Sequence, residues 1–162
     1  MQSTVRRVLF VCLGNICRSP AAEGVFRAAA SQVGLEVHID SAGTSDWHVG
    51  APPYAQMQTA ARQRGYDIGN LRARQFQRVD FDRFDLIIAM DADNLSDIEQ
   101  VRPQGNETAV RLFLDFAPDT DLTDLPDPYY TLDFETALDL VERASQGLLA
   151  EIVLNQVVTC NK

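Results

Sequence analysis

Residues Val8–Gly24 have the sequence VLFVCLGNICRSPAAEG, in which an apolar run ends at a cysteine and an arginine follows after five intervening residues. The apolar and β-branched residues of Val5–Val11 predict a first strand that ends near Cys12. Ser19 is a favourable N-cap residue and Pro20 suits the first helical turn, so a helix is expected to begin at Ser19. The stretch therefore predicts a strand, a short loop and a helix.

The rest of the chain continues this alternation of strands and helices. Further strands are predicted over Glu36–Asp40, Phe84–Met90 and Ala109–Leu114, and further helices over about 52–64, over Asp91–Val101 and from Asp133 onward. Such alternation builds a parallel sheet that is covered by helices. We therefore predict an α/β fold of three layers, a four-stranded parallel sheet with helices on both faces, of the flavodoxin-like or Rossmann-like kind. Ligands bind at the carboxyl edge of such sheets, where Cys12 is placed.

Composition narrows the class of protein further. The 162 residues are enough for one domain with a real core, so a single domain over 1–162 is expected. The net charge of −9 argues against nucleic acid as a partner, because phosphate backbones attract basic surfaces. The chain has no apolar run of the ~20 residues that a membrane helix needs, and its N-terminus lacks a signal peptide. We expect a cytoplasmic protein that does not bind membranes.

The loop after the first strand is suited to binding an anion. Backbone N–H groups of the loop can converge on one anion, and the helix N-terminus adds partial positive charge. Gly14 and Asn15 tolerate the left-handed conformations that a tight loop requires. Arg18 can donate two parallel hydrogen bonds to phosphate oxygens. The same donors stabilise a thiolate at Cys12 that could attack phosphorus, with the Ser19 hydroxyl donating to the sulfur.

A cysteine and an arginine at this spacing also occur by chance, in which case Cys12 is a buried apolar residue and Arg18 a surface charge. The longer segment VCLGNICRSPAAEG, however, resembles the signature of the low-molecular-weight protein tyrosine phosphatases. The resemblance extends over about Val5–Gln156 and implies that Cys12 is the nucleophile and that Arg18 binds phosphate. It also implies a phosphate-binding loop with supporting residues, which are Leu13, Gly14, Asn15, Ile16, Cys17, Ser19 and Ser41.

The segment LPDPYYTLDFE offers the acid that such a reaction needs. A phosphate monoester requires a proton on its leaving oxygen, and a cysteinyl phosphate requires a deprotonated water. Asp127 precedes Pro128 on a loop, and the resemblance implies that it serves as general acid and then as general base. A bound phosphate dianion would keep this carboxyl group protonated by like-charge repulsion. The alternative is an aspartate that only caps a turn before proline.

Three further segments resemble the same family. In IDSAGT, Ser41 is expected to hydrogen-bond Asn15. Trp47 and the pair Tyr129 and Tyr130 are expected to form the two aromatic walls of a substrate pocket, although such side chains can also be simple loop anchors. One position departs from the family: Leu71 stands where many members have a histidine that joins a polar network with the aspartate after the third strand. That aspartate, Asp91, is therefore expected to have another partner.

The second cysteine of the loop and the two histidines are weaker candidates for a catalytic role. Cys17 lies five residues after Cys12, which allows a reversible disulfide, as the resemblance also implies; alternatively Cys17 is a small buried side chain that supports the loop. His38 and His48 have no orienting partner that would make a Cys–His protease, and His48 is expected to be solvated. The cysteine spacing does not suit zinc, so no metal and no cofactor are predicted.

The predicted function is a phosphotyrosine-protein phosphatase that acts through a phosphocysteine on a tyrosine-phosphorylated protein or a small aryl phosphate. The oligomeric state is open, with a monomer as default. Three alternatives remain. A protein-arginine phosphatase tends to have Thr at the position of Ile16, and an arsenate reductase of the same fold needs a cysteine pair that Arg78–Asp93 lacks. A non-catalytic phosphate- or flavin-binding module would not need Cys12, Arg18 and Asp127 together.

Overall fold

A computed structural model describes residues 4–160, with side chains described for residues 4–156. The strands are parallel in the order β2-β1-β3-β4, and they are β1 (Arg7–Cys12), β2 (His38–Gly43), β3 (Leu86–Ala89) and β4 (Ala109–Leu112). The helices are α1 (Arg18–Gln32), α2 (Ala55–Gln63), α3 (Asp80–Arg83), α4 (Ala92–Gln100), α5 (Pro128–Thr131) and α6 (Phe134–Cys160), with a 3-10 turn over Phe113–Phe116. The predicted α/β class and four-stranded parallel sheet are confirmed.

Strand β1 is buried on both faces, and its alternating side chains divide the interior into two apolar layers. Val8 and Phe10 belong to the larger layer, which includes buried residues of α1 and α6. Phe10 makes edge contacts there with Phe26 and Phe113, with ring centroids 5.7 and 5.3 Å apart. Leu9 and Val11 point to the opposite layer, which includes residues of α3 and α4. The three-layer arrangement is therefore confirmed, and β1 ends between two packed faces.

Two boundaries next to the candidate site differ from the sequence prediction. Helix α1 begins at Arg18 rather than at Ser19, because Ser19 directs its hydroxyl into the loop and does not cap the helix. Strand β2 runs to Gly43 rather than ending at Asp40, because its backbone continues the parallel pairing with β1 as far as Cys12. Ser41 is consequently a strand residue, fixed beside the end of β1, and not a loop residue.

Short helical segments are the other difference. Helices α3 and α5 and the 3-10 turn span four residues each, too few for a helical period to show in sequence. The turn over Phe113–Phe116 ends β4 at Leu112, two residues before the predicted end. Helix α5 begins directly after Asp127, in the segment between the fourth predicted strand and the last predicted helix. Within residues 4–160, no helix is long and apolar enough to cross a membrane.

Candidate active site

Cys12 is the last residue of β1, and the loop that follows it folds back over its sulfur. The side chain is buried, with 3% of the residue exposed. The backbone N–H of Asn15 donates to Sγ at 3.2 Å, and the Ser19 hydroxyl lies 3.0 Å from Sγ. Asn15 adopts the left-handed conformation with φ 57°, which asparagine tolerates better than most residues. The loop thus surrounds the sulfur with hydrogen-bond donors.

The side chain of Asn15 connects this loop to β2. Its Nδ2 donates to Ser19 Oγ at 2.7 Å and to Ser41 Oγ at 3.0 Å, so the contact expected between Ser41 and Asn15 is present. Its Oδ1 accepts a hydrogen bond from the backbone N–H of Arg74 at 3.0 Å. Every polar atom of the buried Asn15 amide therefore has a partner, which fixes the orientation of the amide.

Gly43, the last residue of β2, provides the floor on which the loop packs. A Cβ at this position would lie 2.7 Å from the Leu13 carbonyl oxygen and 3.1 Å from the Asn15 nitrogen. The next two residues hold the loop by hydrogen bonds, from Thr44 N to Cys12 O at 2.8 Å and from Ser45 N to Leu13 O at 3.0 Å. The backbone approach requires glycine, because any side chain would displace the loop.

Arg18 is buried, with 2% exposed, and is held mainly by acceptors behind the loop. Its Nη1 donates to Asp91 Oδ2 at 2.7 Å and to the Leu125 carbonyl at 3.0 Å, and its Nη2 donates to Asp127 Oδ2 at 3.4 Å. Burial by itself lowers the pKa of Arg18, but the negative charges of Cys12, Asp127 and Asp91 outweigh it and raise the pKa above its usual value. Among the described residues, Arg18 Nε has no hydrogen-bond partner. The guanidinium is thus charged, and one of its donors remains unused.

Asp127 caps a helix, as one of the two interpretations of the sequence predicted, and its carboxyl group also faces Arg18. One oxygen, Oδ1, accepts from the backbone N–H of Tyr129 at 3.1 Å and caps α5. The other, Oδ2, faces Arg18. The cap fixes the carboxyl group at the rim of a cavity that also contains Cys12.

The cavity has a volume of about 280 Å³ and an opening to solvent. Its lining is formed by loop residues, by three exposed or partly exposed aromatic side chains, by His48 and by Asp127; the full set is Cys12, Leu13, Gly14, Ile16, Cys17, Trp47, His48, Asp127, Tyr129 and Tyr130. Trp47 and Tyr130 are 68% and 67% exposed, so they stand at the rim rather than in the core. His48 is partly exposed and lines the cavity, with its ring beside Gly14 and 6.3 Å from that of Tyr129.

Sequence analysis missed three residues that hold the site. Tyr54 donates its backbone N–H to Ile16 O at 2.8 Å, and its ring packs on that of Tyr129 at 5.5 Å. Glu23 on α1 is only 3% exposed, and Arg74 bonds Asn15 as described. The signal for Glu23 was its helical spacing, four residues after Ser19 on the face that carries the loop; Tyr54 and Arg74 lie on irregular segments, where spacing carries no such information.

Leu71 stands where many members of the family have a histidine, and the structure shows what each of the residues concerned contacts instead. Leu71 is partly buried and packs against the larger apolar layer. Asp91 accepts a hydrogen bond from Arg18 and another, at 2.7 Å, from the backbone N–H of Asn94, and the second contact caps α4. Asp91 therefore has another partner, as expected.

Cys17 differs from Cys12 in its surroundings. Burial raises the pKa of the Cys17 thiol, and the nearby negative charges of Asp127 and Cys12 raise it further, against a smaller opposite effect of Arg18. Both cysteines are free thiols in the structure. In the described part of the chain, no group of three His, Cys, Asp or Glu side chains is placed to hold a metal ion.

Comparisons with known proteins agree with this geometry. The family model described as low molecular weight phosphotyrosine protein phosphatase matches residues 7–158. The low molecular weight protein-tyrosine-phosphatase YfkJ of Bacillus subtilis is 46% identical over 147 residues, which cover 90% of this chain and 94% of that relative.

Solved structures show the same fold. The crystal structure of YfkJ from Bacillus subtilis superposes with a TM-score of 0.89 at 43% identity, covering 96% of this chain and 99% of that one. A Drosophila arginine phosphatase superposes with a TM-score of 0.84 at 30% identity, covering 89% of this chain and 96% of that one. The match of the family model to most of the chain, together with these relatives, shows that the chain belongs to the low-molecular-weight phosphotyrosine protein phosphatase family.

Proposed function

We propose that the protein hydrolyses the phosphate monoester of phosphotyrosine through a phosphocysteine intermediate on Cys12. The observation that carries this proposal is the proximity of three groups: Cys12 and Asp127 line one cavity, and Arg18, which does not line it, donates a hydrogen bond to Asp127. A phosphate-binding module would need the loop but not an acid placed opposite the sulfur. The three side chains together fit two displacements at phosphorus.

In the first displacement, the loop N–H groups and the Arg18 guanidinium bind the phosphate oxygens. The unused Nε and the Asp127-facing Nη2 of Arg18 are the donors available for this. The Cys12 thiolate attacks phosphorus, the S–P bond forms, and the bond between phosphorus and the phenolic oxygen breaks. Asp127 gives its proton to the departing oxygen, so tyrosine leaves as a neutral phenol.

In the second displacement, water attacks phosphorus from the side that the phenol has vacated. Asp127, now a carboxylate, accepts a proton from this water, and the S–P bond breaks to restore the Cys12 thiolate and release inorganic phosphate. Ser19 Oγ lies 3.0 Å from the sulfur and stabilises it as a leaving group. Neither displacement, as proposed, uses a metal ion.

The walls of the cavity favour an aryl phosphate. Trp47 on one side and Tyr129 and Tyr130 on the other can hold a flat ring between them. The Ile16 side chain adds apolar surface to the lining. Because Trp47 and Tyr130 are largely exposed, the opening can admit a phosphotyrosine that is part of a protein as well as a small aryl phosphate.

The proposal includes the cellular setting. A cysteine nucleophile must stay reduced, so we place the enzyme in the cytoplasm. The net charge of −9 argues against a nucleic acid partner, no membrane partner is expected, and the oligomeric state is open with a monomer as the default. Cys17 lines the same cavity as Cys12 and is a neutral thiol, so under oxidation it can form a reversible disulfide that protects the nucleophile. Mass spectrometry of peroxide-treated protein tests this: a Cys12–Cys17 disulfide is expected, and irreversible oxidation of Cys12 is expected only in Cys17→Ser.

Steady-state hydrolysis in the presence of EDTA tests the proposed function. Phosphotyrosine is expected to be the best substrate among phosphotyrosine, phosphoserine and phosphoarginine, and arsenate is not expected to be reduced. Preference for phosphoarginine would assign the protein to the alternative that its likeness to the Drosophila enzyme raises. Activity that EDTA removes would contradict the metal-independent route.

A further inference from the structure

A buried carboxylate, that of Glu23, lies two hydrogen bonds away from Asn15, with Ser41 between them. Glu23 on α1 is 3% exposed, and a charged group in such a position needs both an ion partner and hydrogen bonds. Arg27, one turn later on α1, donates from Nη2 to Glu23 Oε2 at 2.6 Å. The other oxygen, Oε1, lies 2.7 Å from Ser41 Oγ. One oxygen of Glu23 therefore balances the charge of Arg27, and the other accepts a hydrogen bond from Ser41, which contacts the loop.

The chemistry of these groups fixes the direction of each hydrogen bond. A carboxylate can only accept, so the single hydroxyl proton of Ser41 is committed to Glu23. Ser41 Oγ must then accept in its contact with Asn15 Nδ2 at 3.0 Å. Ser41 is thereby set as an acceptor toward the loop, which is the role that Asn15 requires.

The opposite end of the network is fixed by a donor. The backbone N–H of Arg74 donates to Asn15 Oδ1, so the amide cannot turn over without placing two donors against each other. The Arg74 side chain anchors this segment with two hydrogen bonds of 3.1 Å to Asp80, which is 0% exposed, and one of 3.0 Å to Asp40. Asn15 consequently directs both Nδ2 protons at Ser41 and Ser19.

Ser19 completes the chain at the sulfur. Its oxygen accepts from Asn15 at 2.7 Å, which leaves its own proton for Cys12 Sγ at 3.0 Å or for the Ala42 carbonyl at 3.3 Å. A thiolate is the stronger acceptor because it is charged. The proton of Ser19 is therefore directed at Cys12 when the cysteine is ionised.

We propose that Glu23 is a positioning residue that holds Ser41 as the acceptor for Asn15, so that the Asn15 amide stays in place to donate to Ser19, which in turn donates to the Cys12 thiolate. The proposal rests on the proposed function, because it gives that thiolate its catalytic role. Glu23 touches neither substrate nor sulfur. Without its acceptor, the Ser41 proton is free to turn toward Asn15 Nδ2, where it meets another donor, so Asn15 loses the hydrogen bond that holds its amide on the Ser41 side.

Two substitutions of nearly the same shape test the acceptor itself. Glu23→Met fills the same space with an apolar side chain and removes the acceptor, whereas Glu23→Gln keeps a carbonyl oxygen that can face Ser41. Glu99→Gln is the control for loss of a glutamate charge that is paired with an arginine: Glu99 on α4 pairs with Arg102 just after the helix, is exposed and has no contact with the loop. Thermal unfolding establishes that each variant is folded.

Three measurements separate a positioning role from a purely structural one. With Glu23→Met, we expect kcat for phosphotyrosine and the rate of Cys12 alkylation by iodoacetamide each to fall about tenfold, the effect of one hydrogen bond to a charged group. The inhibition constant of inorganic phosphate is expected to stay within about threefold of wild type, since the loop N–H groups and Arg18 are unchanged. Glu23→Gln is expected to recover most of kcat, and Glu99→Gln to match wild type.

A double-mutant cycle tests the route through Ser41. Ser41→Ala removes a single hydroxyl, and in that background Glu23→Met is expected to cause no further loss of kcat. If Glu23→Met does not fold, Ser41→Ala alone tests the hydrogen bond between Ser41 and Asn15. It is then expected to lower both kcat and the rate of Cys12 alkylation.

The proposal is overturned if folded Glu23→Met retains wild-type kcat and alkylation rate, if phosphate binding weakens in parallel with kcat, or if the two substitutions act independently. Failure of the proposed function is a separate result, seen as a wild-type protein that does not hydrolyse phosphotyrosine. The alkylation measurement does not depend on that activity.

Discussion

Arg18 Nη2 donates to Asp127 Oδ2 at 3.4 Å, so the phosphate-binding cation of the proposed reaction and its proton donor lie next to each other. The same guanidinium makes a shorter hydrogen bond to Asp91, at 2.7 Å. Arg18 is thus anchored on Asp91, while its side toward Asp127 makes the longer contact. The relationship places the positive charge between the two carboxylates and leads to the first prediction.

A substitution of Asp127 can remove the catalytic proton while keeping the hydrogen bond that caps α5. Asp127→Asn keeps an oxygen to cap α5 at Tyr129 but cannot donate or accept the catalytic proton. We expect kcat for phosphotyrosine to fall on the order of 10²–10⁴-fold. The loss should be much smaller for p-nitrophenyl phosphate, whose leaving group needs little protonation. Equal losses with both substrates, measured by steady-state kinetics, would assign the acid to another residue.

Replacing Cys12 tests the covalent route. Cys12→Ser is expected to lower hydrolysis of an aryl phosphate by at least about 10³-fold, because the hydroxyl is a much weaker nucleophile. Binding of inorganic phosphate, measured by calorimetry, should survive because Arg18 and the loop are intact. A Cys12→Ser protein that keeps most of its activity would contradict a phosphocysteine intermediate.

The close approach of the loop to Gly43 can be tested by adding one methyl group. In Gly43→Ala the new Cβ would stand 2.7 Å from the Leu13 carbonyl, so the loop must shift. We expect a loss of stability of about 1–3 kcal/mol together with weaker phosphate binding. Gly69→Ala is the control, because its Cβ would meet only the movable end of Gln58 at 3.1 Å and a side-chain oxygen of Asp67. Urea unfolding and phosphate titration of both variants give the comparison; equal behaviour would contradict the role of Gly43.

Asp85 is expected to contribute to stability in a pH-dependent way. Burial would raise the pKa of Asp85, but the Arg7 guanidinium and the backbone N–H groups of Arg6 and Arg7 lower it below its usual value. A carboxyl group with a depressed pKa in the folded state adds stability that is present above about pH 4 and is lost as the pH falls through the folded pKa. Asp85→Asn should therefore flatten the pH dependence of the thermal midpoint below about pH 4.

The control for this measurement is Asp82→Asn, which removes the same charge from an exposed position on α3. If both substitutions change the acid limb equally, the effect comes from net charge and not from the contacts of Asp85 with the start of β1.

The sequence predicted the sheet well, because the strands that build it are buried and continuous. Phe84–Met90 contains β3, and the end of β1 at Cys12 follows from a run of apolar residues. The end of β2 could not be predicted in the same way. Ser41, Ala42 and Gly43 have the composition of a turn, and only pairing with β1 makes them a strand.

The site was predictable to the extent that it depends on one contiguous segment. Cys12, Arg18 and Ser19 follow from the loop and its helix, and Asp127 from the resemblance of the segment LPDPYYTLDFE to the family. The supports of the loop come from distant parts of the chain. Arg74 lies far from Asn15 in sequence and contacts it through a backbone N–H, which any residue but proline carries, so no residue type could have signalled it.

The loop is held by the backbone, whereas the aromatic side chains around the cavity are exposed. This difference affects how the substrate preference of such an enzyme can change in evolution. The groups that handle phosphorus are fixed by β1, β2 and α1, whereas Trp47 and Tyr130 stand at the solvent and take little part in that framework. Exchange of the wall side chains alters what fits around the phosphate while the bond-breaking apparatus is inherited unchanged. Selection can therefore diversify recognition in this scaffold without repeating the evolution of the chemistry.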